Sequence, residues 1–335
     1  MTWVIISRSS AGGFYEVART LSHVLKIPLS YNPIKIIGIN FINVGSIYSL
    51  ASPHILLANR VIAYLGIEGP MHSYASKAII RLKCPLIITP SKYANDELSR
   101  LGIKTHYVIP HGFDPCDIPE TLPRIGDGLG KTLFSVVLSG MEIYKLLGVK
   151  FLLKAIKESS VLRENASFLF KVPKNKGGVF KSVINEFGLS FDNFKIIDTY
   201  LSKHELYGLI SSTDFYVHVS LSDAFGLPII EAMAVGTPVI ALNAPPWNEI
   251  VNDDVGFLVK VKKEVIMGNP PYRIRIPDIN SLKETLENVV KVANNNRLRN
   301  NVRRYAYEKF NAHTLYLKFR DIMELIENTK WCRFH

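Results

Sequence analysis

The sequence predicts an α/β protein with two doubly wound domains in tandem, each built on a parallel sheet. Short apolar runs alternate with stretches of helical periodicity along most of the 335 residues, a pattern typical of parallel sheets covered by helices. The chain is longer than one hydrophobic core usually allows, so two domains are expected. The alternation is interrupted between residues 110 and 131, where Pro, Gly and Asp are frequent and indicate a linker.

The first series of elements begins at the N-terminus. Strands are predicted where apolar residues are continuous, over 3–7, 34–39, 61–67, 86–89 and 105–109. Gly12 and Gly13 precede a stretch with apolar residues at helical spacing, so a loop and a helix are expected there. Ser91 is predicted to be the N-cap of another helix, which ends near Gly102.

The second series begins after the linker. Strands are predicted over 133–138, 167–172, 194–197, 215–220, 238–242 and 256–259, and helices over 279–293, 297–310 and 313–327. Ser202 and Glu205 have the spacing of a capping box. The basic segment Lys262–Pro277 is expected to be an inserted loop or hairpin. We predict an N-terminal domain over 1–118, a linker over 119–131, a C-terminal domain over 132–310 and a final helical segment over 311–335.

Composition excludes several classes of protein. Hydrophobic residues make up 47% of the chain, which excludes a disordered protein. No apolar run reaches about 18 residues, so a spanning helix is not expected, and the first residues lack the features of a secretory signal. Cys84, Cys116 and Cys332 show no CxxC spacing, so we expect neither a disulfide framework nor a structural zinc site. A reducing, cytoplasmic compartment is the expectation.

The formal net charge is +11, which suits nucleic acid, anionic lipid or phosphorylated small molecules as partners. No RNA-binding or zinc-finger motif is present, so nucleic acid is not expected. The basic run Arg297–Arg304 is interpreted as a solvated helix face or as a membrane-surface patch. Tyr74–Lys83 mixes apolar and basic residues. It is either a surface that docks on an anionic membrane or a helix with a core-facing side.

The segment from Ser220 to Ile240 carries the most information about function. A strand is predicted to end at Ser220, and Pro228 occupies a position that the first turn of a helix tolerates. The amides of Phe225 and Gly226 would then lie at a helix N-terminus, where they can bind an anion. Glu231 follows about one turn later and can offer a carboxylate to ribose hydroxyls. The alternative is a capping loop with a solvated glutamate.

Other motifs argue against competing chemistries. The stretch Gly126–Thr132 resembles a P-loop, but Ile125 stands where the motif needs glycine, and a strand follows instead of a helix. The GxGxxG pattern of dinucleotide-binding dehydrogenases is absent. No DxD, HExxH, GxSxG or HxH motif occurs, and the nine histidines are dispersed. We therefore expect no metal and no cofactor, and we interpret His218, inside an apolar strand, as structural.

The segment around Asp223 and Glu231 resembles the E-x7-E region of retaining GT-B glycosyltransferases of family four, the glycosyl transferases group 1. The usual form of that region is S-x-x-E-x-F-G-x-P-x-x-E-A-M-A-x-G-x-P-V, and here Asp223 stands at the first acidic position. The resemblance covers nearly the whole chain, strongly over 195–260 and weakly over 14–85. Its further matches are Gly12-Gly13, Pro90-Ser91 with Leu98, Ile109–Asp114, Pro246–Val259 and Pro277-Asp278.

The resemblance implies two Rossmann-like domains facing a central cleft, with the C-terminal helix crossing back onto the first domain. It also implies an enzyme that transfers a sugar without a metal ion and with retention of the anomeric configuration. The donor would be a sugar linked to UDP or GDP, and the acceptor a glycan, a lipid-linked sugar or a protein glycan. In this family the second Glu binds the donor ribose, a role carried here to Glu231. The first acidic residue and the following amides hold the donor sugar, a role carried to Asp223, Phe225, Gly226 and Leu227. The loop of Gly12 and Gly13 is also expected to contact the donor.

The sequence departs from the family pattern at its diphosphate-binding residues. The family's basic residues in G-R-x5-K-G are replaced by Met141 and Leu147, and Lys145 in the same loop is the candidate substitute for one charge. This loss leaves a second hypothesis open: a catalytically impaired, GT-B-like protein that binds a sugar nucleotide or a partner.

Three further residues are candidates for donor contacts. Glu68 stands where the family places a histidine, and His72 lies close by. With Asp223 they are the candidate catalytic residues, and either is expected to contact the donor sugar, although His72 also fits a surface position at a helix N-terminus. Tyr200 borders the expected base-binding loop, where it either stacks on the base or lies on the surface.

Overall fold

The computed structural model describes residues 3–7, 12–31, 38–51, 55, 57–70, 74–122, 130–269, 271–293 and 295–328. Two six-stranded sheets dominate the fold, and all strand pairs within them are parallel. The predicted α/β architecture with two Rossmann-like halves is confirmed. None of the helices in the described parts of the chain is both long and apolar enough to cross a bilayer.

The first sheet has the strand order β2-β1-β3-β4-β5-β6. Its strands are β1 (Trp3–Ser7), β2 (Leu29–Ser30), β3 (Asn40–Gly45), β4 (Val61–Leu65), β5 (Leu86–Thr89) and β6 (Tyr107–Val108). The helices of this half are α1 (Gly13–Leu25), α2 (Tyr74–Lys83) and α3 (Lys92–Arg100), with a 3-10 helix over Ile47–Ala51. Alternate residues of β4 enter two separate hydrophobic clusters, Ile62 on one face and Ala63 on the other. The sheet is therefore buried on both faces, as parallel sheets are.

The second sheet has the order β12-β11-β10-β7-β8-β9. Its strands are β7 (Thr132–Val137), β8 (Ala166–Lys171), β9 (Phe194–Ile197), β10 (Phe215–Val217), β11 (Val239–Leu242) and β12 (Gly256–Val259). The helices are α4 (Ile143–Lys157), α5 (Ser160–Asn165), α6 (Gly177–Asn185), α7 (Lys203–Ser211), α8 (Leu227–Ala234), α9 (Ile279–Val290) and α10 (Asn296–Phe310). Phe134 stacks between Phe168 and Phe215 of the neighbouring strands, with ring centroids 5.0 and 5.7 Å away.

The segment Lys262–Pro277 is confirmed as a hairpin, formed by the antiparallel strands β13 (Val261–Met267) and β14 (Tyr272–Pro277). The hairpin reaches the first half of the protein, where the guanidinium of Arg273 forms an ion pair with the buried Glu97 at 3.0 Å. A second bridge is made by Glu249, whose carboxylate accepts hydrogen bonds from the amides of Lys92 and Tyr93 at the start of α3, both at 2.8 Å. These contacts hold the two halves together beside the cleft.

The last helices cross back onto the first half, as the resemblance implied. After α10 the chain forms α11 (Ala312–Leu315) and α12 (Lys318–Asn328). Tyr316 and Phe319 are fully buried in the same hydrophobic cluster as Ile5 of the first sheet. The hydroxyl of Tyr316 accepts a hydrogen bond from the amide of Gly112 at 3.0 Å. One face of the first sheet is therefore covered by the C-terminal helices α11 and α12.

Several predicted boundaries need correction. A strand is expected over 34–39, but residues 34–37 lie outside the described part of the chain. The described strand begins at Asn40, because the partly polar run Asn40–Gly45 is the one that pairs with β1. The strands expected over 105–109 and 215–220 are shorter than predicted. The helix expected over 313–327 is two helices, broken at Tyr316. The N-cap at Ser91 and the capping box of Ser202 and Glu205 are confirmed.

Candidate functional site

A cleft of about 250 Å³ opens between the carboxyl ends of the two sheets. The first half contributes Gly12, Gly13, Phe14, Glu68 and His111. The second half contributes Val137–Ser139, Glu142, Tyr144, Lys145, His218–Ser220 and Asp223–Pro228. Open α/β sheets bind ligands at the carboxyl ends of their strands, so this cleft is the candidate site.

The N-terminus of α8 forms one wall of the cleft. Its N-cap is Gly226, with a φ of 112° that disfavours other residues, and Pro228 occupies the first turn as predicted. No side chain caps this end of α8. Pro228 has no N–H and the amide of Ile229 donates to the carbonyl of Gly226 at 3.0 Å, so the amides of Gly226 and Leu227 are the candidates to bind an anion. Gly13 lies opposite, and a Cβ built on it would lie 3.5 Å from the side chain of Leu227. The two predicted glycine-bearing segments therefore face each other across the cleft.

Asp223 lies in the loop after β10 and is fixed by three hydrogen bonds. Its Oδ2 lies 2.6 Å from Nε2 of His218 and accepts from Nε1 of Trp247 at 2.9 Å. Its Oδ1 accepts from the hydroxyl of Ser220 at 3.1 Å. Burial opposes ionisation of Asp223, but the hydrogen bonds from His218 and Trp247 outweigh it and hold the pKa of this carboxyl below its usual value. The cleft thus contains a carboxylate that is charged and held in one orientation.

Glu68 faces the same cleft but, unlike Asp223, has a raised pKa. Burial, together with the nearby charge of Asp223, raises the pKa of Glu68 to about 8. The backbone oxygen of Glu68 accepts hydrogen bonds from the hydroxyl of Ser222 at 2.9 Å and from the amide of Arg273 at 3.1 Å, so the second half of the protein holds this residue of the first half in place. At neutral pH its side chain is a hydrogen-bond donor next to the acceptor Asp223.

Lys145 supplies positive charge to the cleft. Its Nζ lies 3.0 Å from Oε2 of Glu142 and donates to the hydroxyl of Ser139 at 3.0 Å. Among the cleft-lining residues that the structure describes, Lys145 is the only lysine or arginine. Nearby Gly148 must be glycine, because a Cβ there would lie 1.6 Å from the carbonyl oxygen of Val219. This close approach packs the second turn of α4 against the segment that follows β10 and places Lys145, one turn earlier, beside the loop of Asp223.

Two predicted donor contacts, Glu231 and Tyr200, are not among the described residues that line this cleft. Glu231 is buried on α8, but its carboxylate forms an ion pair with Lys203 and is not among the lining residues. Tyr200 is 79% exposed and also lies outside the lining. His72 lies outside the described residues.

Sequence reasoning missed several residues at this site. His218, interpreted as structural, is buried and lines the cleft, and its contact is with the candidate residue Asp223. Its position five residues before Asp223, at the end of a strand, was the available signal. His111 also lines the cleft; burial lowers its pKa to about 3, so it is neutral, and its Nδ1 lies 2.8 Å from the hydroxyl of Tyr64. Lys203 was missed as the partner of Glu231.

Comparison with known proteins shows which family part of the chain resembles. Residues 144–267 match the family model of the glycosyl transferases group 1. ORF313 of Acidianus filamentous virus 1, whose name assigns it provisionally to the glycosyltransferases, is 25% identical over 242 residues, or 71% of this chain and 72% of that one. The MMP α-(1→4)-mannosyltransferase of Mycolicibacterium hassiacum is 28% identical over 183 residues, which cover 53% of this chain and 41% of that protein.

Solved structures show the same fold over nearly the whole chain. Anabaena HepE in complex with UDP superposes with a TM-score of 0.70 at 15% identity, covering 97% of this chain and all of that one. Sucrose-phosphate synthase from Thermosynechococcus elongatus gives a TM-score of 0.73 at 15% identity, with coverage of 97% and 99%. With its two facing Rossmann-like sheets and its returning C-terminal helix, the protein has the GT-B fold, and its residues 144–267 are similar to the glycosyl transferases group 1.

Proposed function

We propose that the protein transfers a sugar from a nucleotide-diphosphate sugar to a carbohydrate or lipid-linked acceptor, with retention of the anomeric configuration and without a catalytic metal ion or cofactor. One observation carries the proposal. The uncapped N-terminus of α8 and the loop of Gly12 and Gly13 face each other across a cleft that also holds Glu68 and Asp223.

The donor diphosphate is assigned to the N-terminus of α8. The amides of Gly226 and Leu227 and the helix dipole favour an anion at this end. Lys145, which is paired with Glu142 in the structure, is the basic residue on the other wall that can turn to the diphosphate. One lysine and a helix end neutralise the leaving diphosphate less completely than the family's Arg and Lys pair. The protein therefore depends strongly on the geometry of this helix end for its electrostatic stabilisation.

The donor sugar is assigned to the space beside Asp223 and Glu68. Ionised Asp223 accepts hydrogen bonds from sugar hydroxyls, whereas protonated Glu68 donates one to a sugar oxygen. Their opposite protonation states allow two carboxyl groups to face one neutral sugar without mutual repulsion.

UDP is the first candidate for the nucleotide, because the structural relative HepE was solved with UDP and with UDP-glucose. The ribose is assigned to Glu231, which lies one turn into α8. In the structure its carboxylate is paired with Lys203, which also lies 3.7 Å from Glu16 of α1. Donor binding therefore requires Glu231 to share or exchange this partner, and Lys203 keeps Glu16 as an alternative.

The reaction is proposed to proceed by front-face displacement. The departing diphosphate accepts the proton of the acceptor hydroxyl as the new glycosidic bond forms on the same face of the sugar. The described cleft residues then have to position the two substrates and stabilise the leaving group, rather than provide a covalent nucleophile.

The acceptor is proposed to be presented at an anionic membrane surface. Helix α2 exposes Tyr74 to 90% and Leu82 to 69%, and Arg81 is exposed beside them. Ile79 points into the core, so the apolar face of this helix is divided between the interior and the surface. Exposed apolar side chains next to cations are the features of a helix that docks on lipid.

Donor binding followed by product analysis tests the proposal. Purified protein is screened by thermal shift against UDP-, GDP- and ADP-sugars, because a ligand that binds the native state raises its stability. Slow hydrolysis of the stabilising donor, with the α-anomer of the sugar released from an α-linked donor, is the expected result. Stabilisation by a donor that is neither hydrolysed nor transferred would instead support the binding-protein hypothesis, which the replacement of the basic pair by Met141 and Leu147 favours.

A further inference from the structure

A second polar cluster lies away from the cleft, where three distant parts of the chain meet. It consists of His23 on α1, Asp114 and Cys116 in the segment after β6, and His313 on α11. One ligand atom from each residue lies within 4.8 Å of the others. The expectation of no histidine-containing metal site rested on the linear dispersal of the histidines, and the fold brings two of them together.

The carboxylate of Asp114 is at the centre of this cluster. Its Oδ2 lies 2.5 Å from Nδ1 of His23, and its Oδ1 lies 3.0 Å from Nε2 of His313. The two imidazole rings meet edge to face, with centroids 5.7 Å apart. The side chain of Asp114 is 1% exposed, whereas those of His23 and His313 are 40% and 44% exposed, and Cys116 is a free, exposed cysteine. An ion therefore has a path from solvent to a buried carboxylate.

We propose that His23, Asp114, Cys116 and His313 form a zinc site. Two imidazoles, a thiolate and a carboxylate are the donors that zinc accepts in four-coordinate sites, whereas calcium and magnesium take oxygen ligands. Bonds of about 2.0–2.3 Å place tetrahedral zinc ligands roughly 3.3–3.8 Å apart. The contacts of Asp114 with His23 and His313, at 2.5 and 3.0 Å, must therefore lengthen as zinc enters. The longest separation in the cluster, up to 4.8 Å, must shorten by about 1 Å. Cys116 lies on a short 3-10 turn at the surface, where a side-chain rotation accomplishes this.

The proposed zinc has a structural role, because its four ligands complete a tetrahedral shell and none of them lines the cleft. His23 is ten residues beyond Gly13, or about 15 Å along α1. Zinc would join the end of this helix to the segment that connects the sheets and to the returning helix α11. It would thereby fix the orientation of α1, whose first turn carries the glycine loop into the cleft.

Zinc titration of the metal-free protein tests this site. We expect one zinc ion per chain, measured against a chromophoric zinc indicator, and a higher melting temperature in zinc. Cys116→Ser and His313→Gln should each weaken zinc binding by at least about tenfold. Loss of a residue that only hydrogen-bonds to a zinc ligand already costs about that much, and loss of a ligand itself should cost more. Cys84→Ser, which removes a cysteine outside the cluster, is the matched control and should bind zinc like the wild type.

Cobalt substitution gives an independent signal. The charge-transfer absorption of a cobalt–thiolate bond should be present in the wild type and in Cys84→Ser, and absent in Cys116→Ser. Donor binding by Cys116→Ser, measured below its melting temperature, verifies that the variant is folded. Absence of stoichiometric zinc from the wild type, or unchanged zinc affinity in Cys116→Ser, would overturn the proposal and leave these residues as a hydrogen-bonded cluster.

Discussion

His218 and Asp223 are joined by a hydrogen bond of 2.6 Å between Nε2 and Oδ2 at the end of β10. The same oxygen accepts the indole N–H of Trp247, so two rigid rings fix the orientation of one carboxylate. Asp223 replaces the Glu of the family pattern and is one methylene shorter. The two rings hold this shorter side chain against the wall of the cleft, where 18% of it remains exposed to a ligand.

Asp223→Asn should reduce sugar transfer by at least about 100-fold and lower stability. The amide loses the negative charge that accepts from His218 and Trp247, and hydrogen bonds to charged groups contribute roughly 1.5–3 kcal/mol each. The measurements are the turnover rate and the denaturant midpoint. Asp192→Asn, at an exposed turn, is the control and should change neither. A fully active Asp223→Asn protein would contradict the assignment of this carboxylate to the donor sugar.

Glu68→Gln should change how stability depends on pH. The pKa of Glu68 is raised from 4.5 to about 8, so the native protein holds this proton where the unfolded chain has released it. Between these two values the native state binds more protons, and its stability falls as the pH rises. Gln cannot ionise, so the melting temperature of the variant relative to the wild type should increase from about pH 5 to about pH 9. A difference that is constant with pH would contradict the raised pKa.

The affinity for the donor should also depend on pH, through the same carboxyl group of Glu68. Above about pH 8 Glu68 becomes charged and adds a negative charge facing the donor, so wild-type affinity should decrease. The affinity of Glu68→Gln, measured by calorimetry over the same range, should decrease less. Equal pH profiles in the two proteins would remove Glu68 from the donor site.

Glu231→Gln should weaken donor binding about 10-fold or more and leave the fold intact. A charged acceptor for the ribose hydroxyls is lost, whereas Lys203 retains Glu16 as a partner. Calorimetric titration with the donor found in the screen is the measurement. Glu186→Gln, which removes an exposed ion pair with Lys150, is the control. Unchanged affinity in Glu231→Gln would contradict the ribose assignment.

Sugar transfer should continue in EDTA at temperatures well below the melting temperature. The cleft is proposed to neutralise the diphosphate with Lys145 and the helix end, so manganese or magnesium should not increase the rate. The rate is compared in EDTA and in each metal. The same comparison in Cys116→Ser shows how much of any loss of activity in EDTA comes from removal of the proposed structural zinc. Complete loss in EDTA with recovery in manganese or magnesium, in both wild type and Cys116→Ser, would contradict metal-independent transfer.

The protein should float with vesicles that contain anionic lipid and dissociate as salt increases. Basic residues near an anionic leaflet contribute about 1 kcal/mol each, and salt screens them over about 8 Å at physiological ionic strength. Leu82→Asp on α2 should reduce flotation, whereas Val179→Asp, at another exposed apolar position, should not. Failure to bind anionic vesicles even at low salt would favour a soluble acceptor.

The sequence by itself determined the fold class and the helix whose N-terminus lines the candidate cleft. Apolar runs and helical periods are local patterns, so the two parallel sheets and the order of their elements followed from them. The capping box at Ser202 and the position of Pro228 were predictable for the same reason, because capping and proline geometry depend on a few neighbouring residues. The E-x7-E resemblance located the loop of Asp223 and the start of α8.

Only the tertiary structure decided which groups face one another. The raised pKa of Glu68 depends first on burial, which no local pattern encodes, and then on the charge of Asp223, 155 positions away in the chain. The pairing of Glu231 with Lys203 and the meeting of His23 with His313 depend in the same way on how α1, α8 and the returning helices pack. Charge interactions and metal coordination act over a few ångströms in space, and separation along the chain does not report those distances.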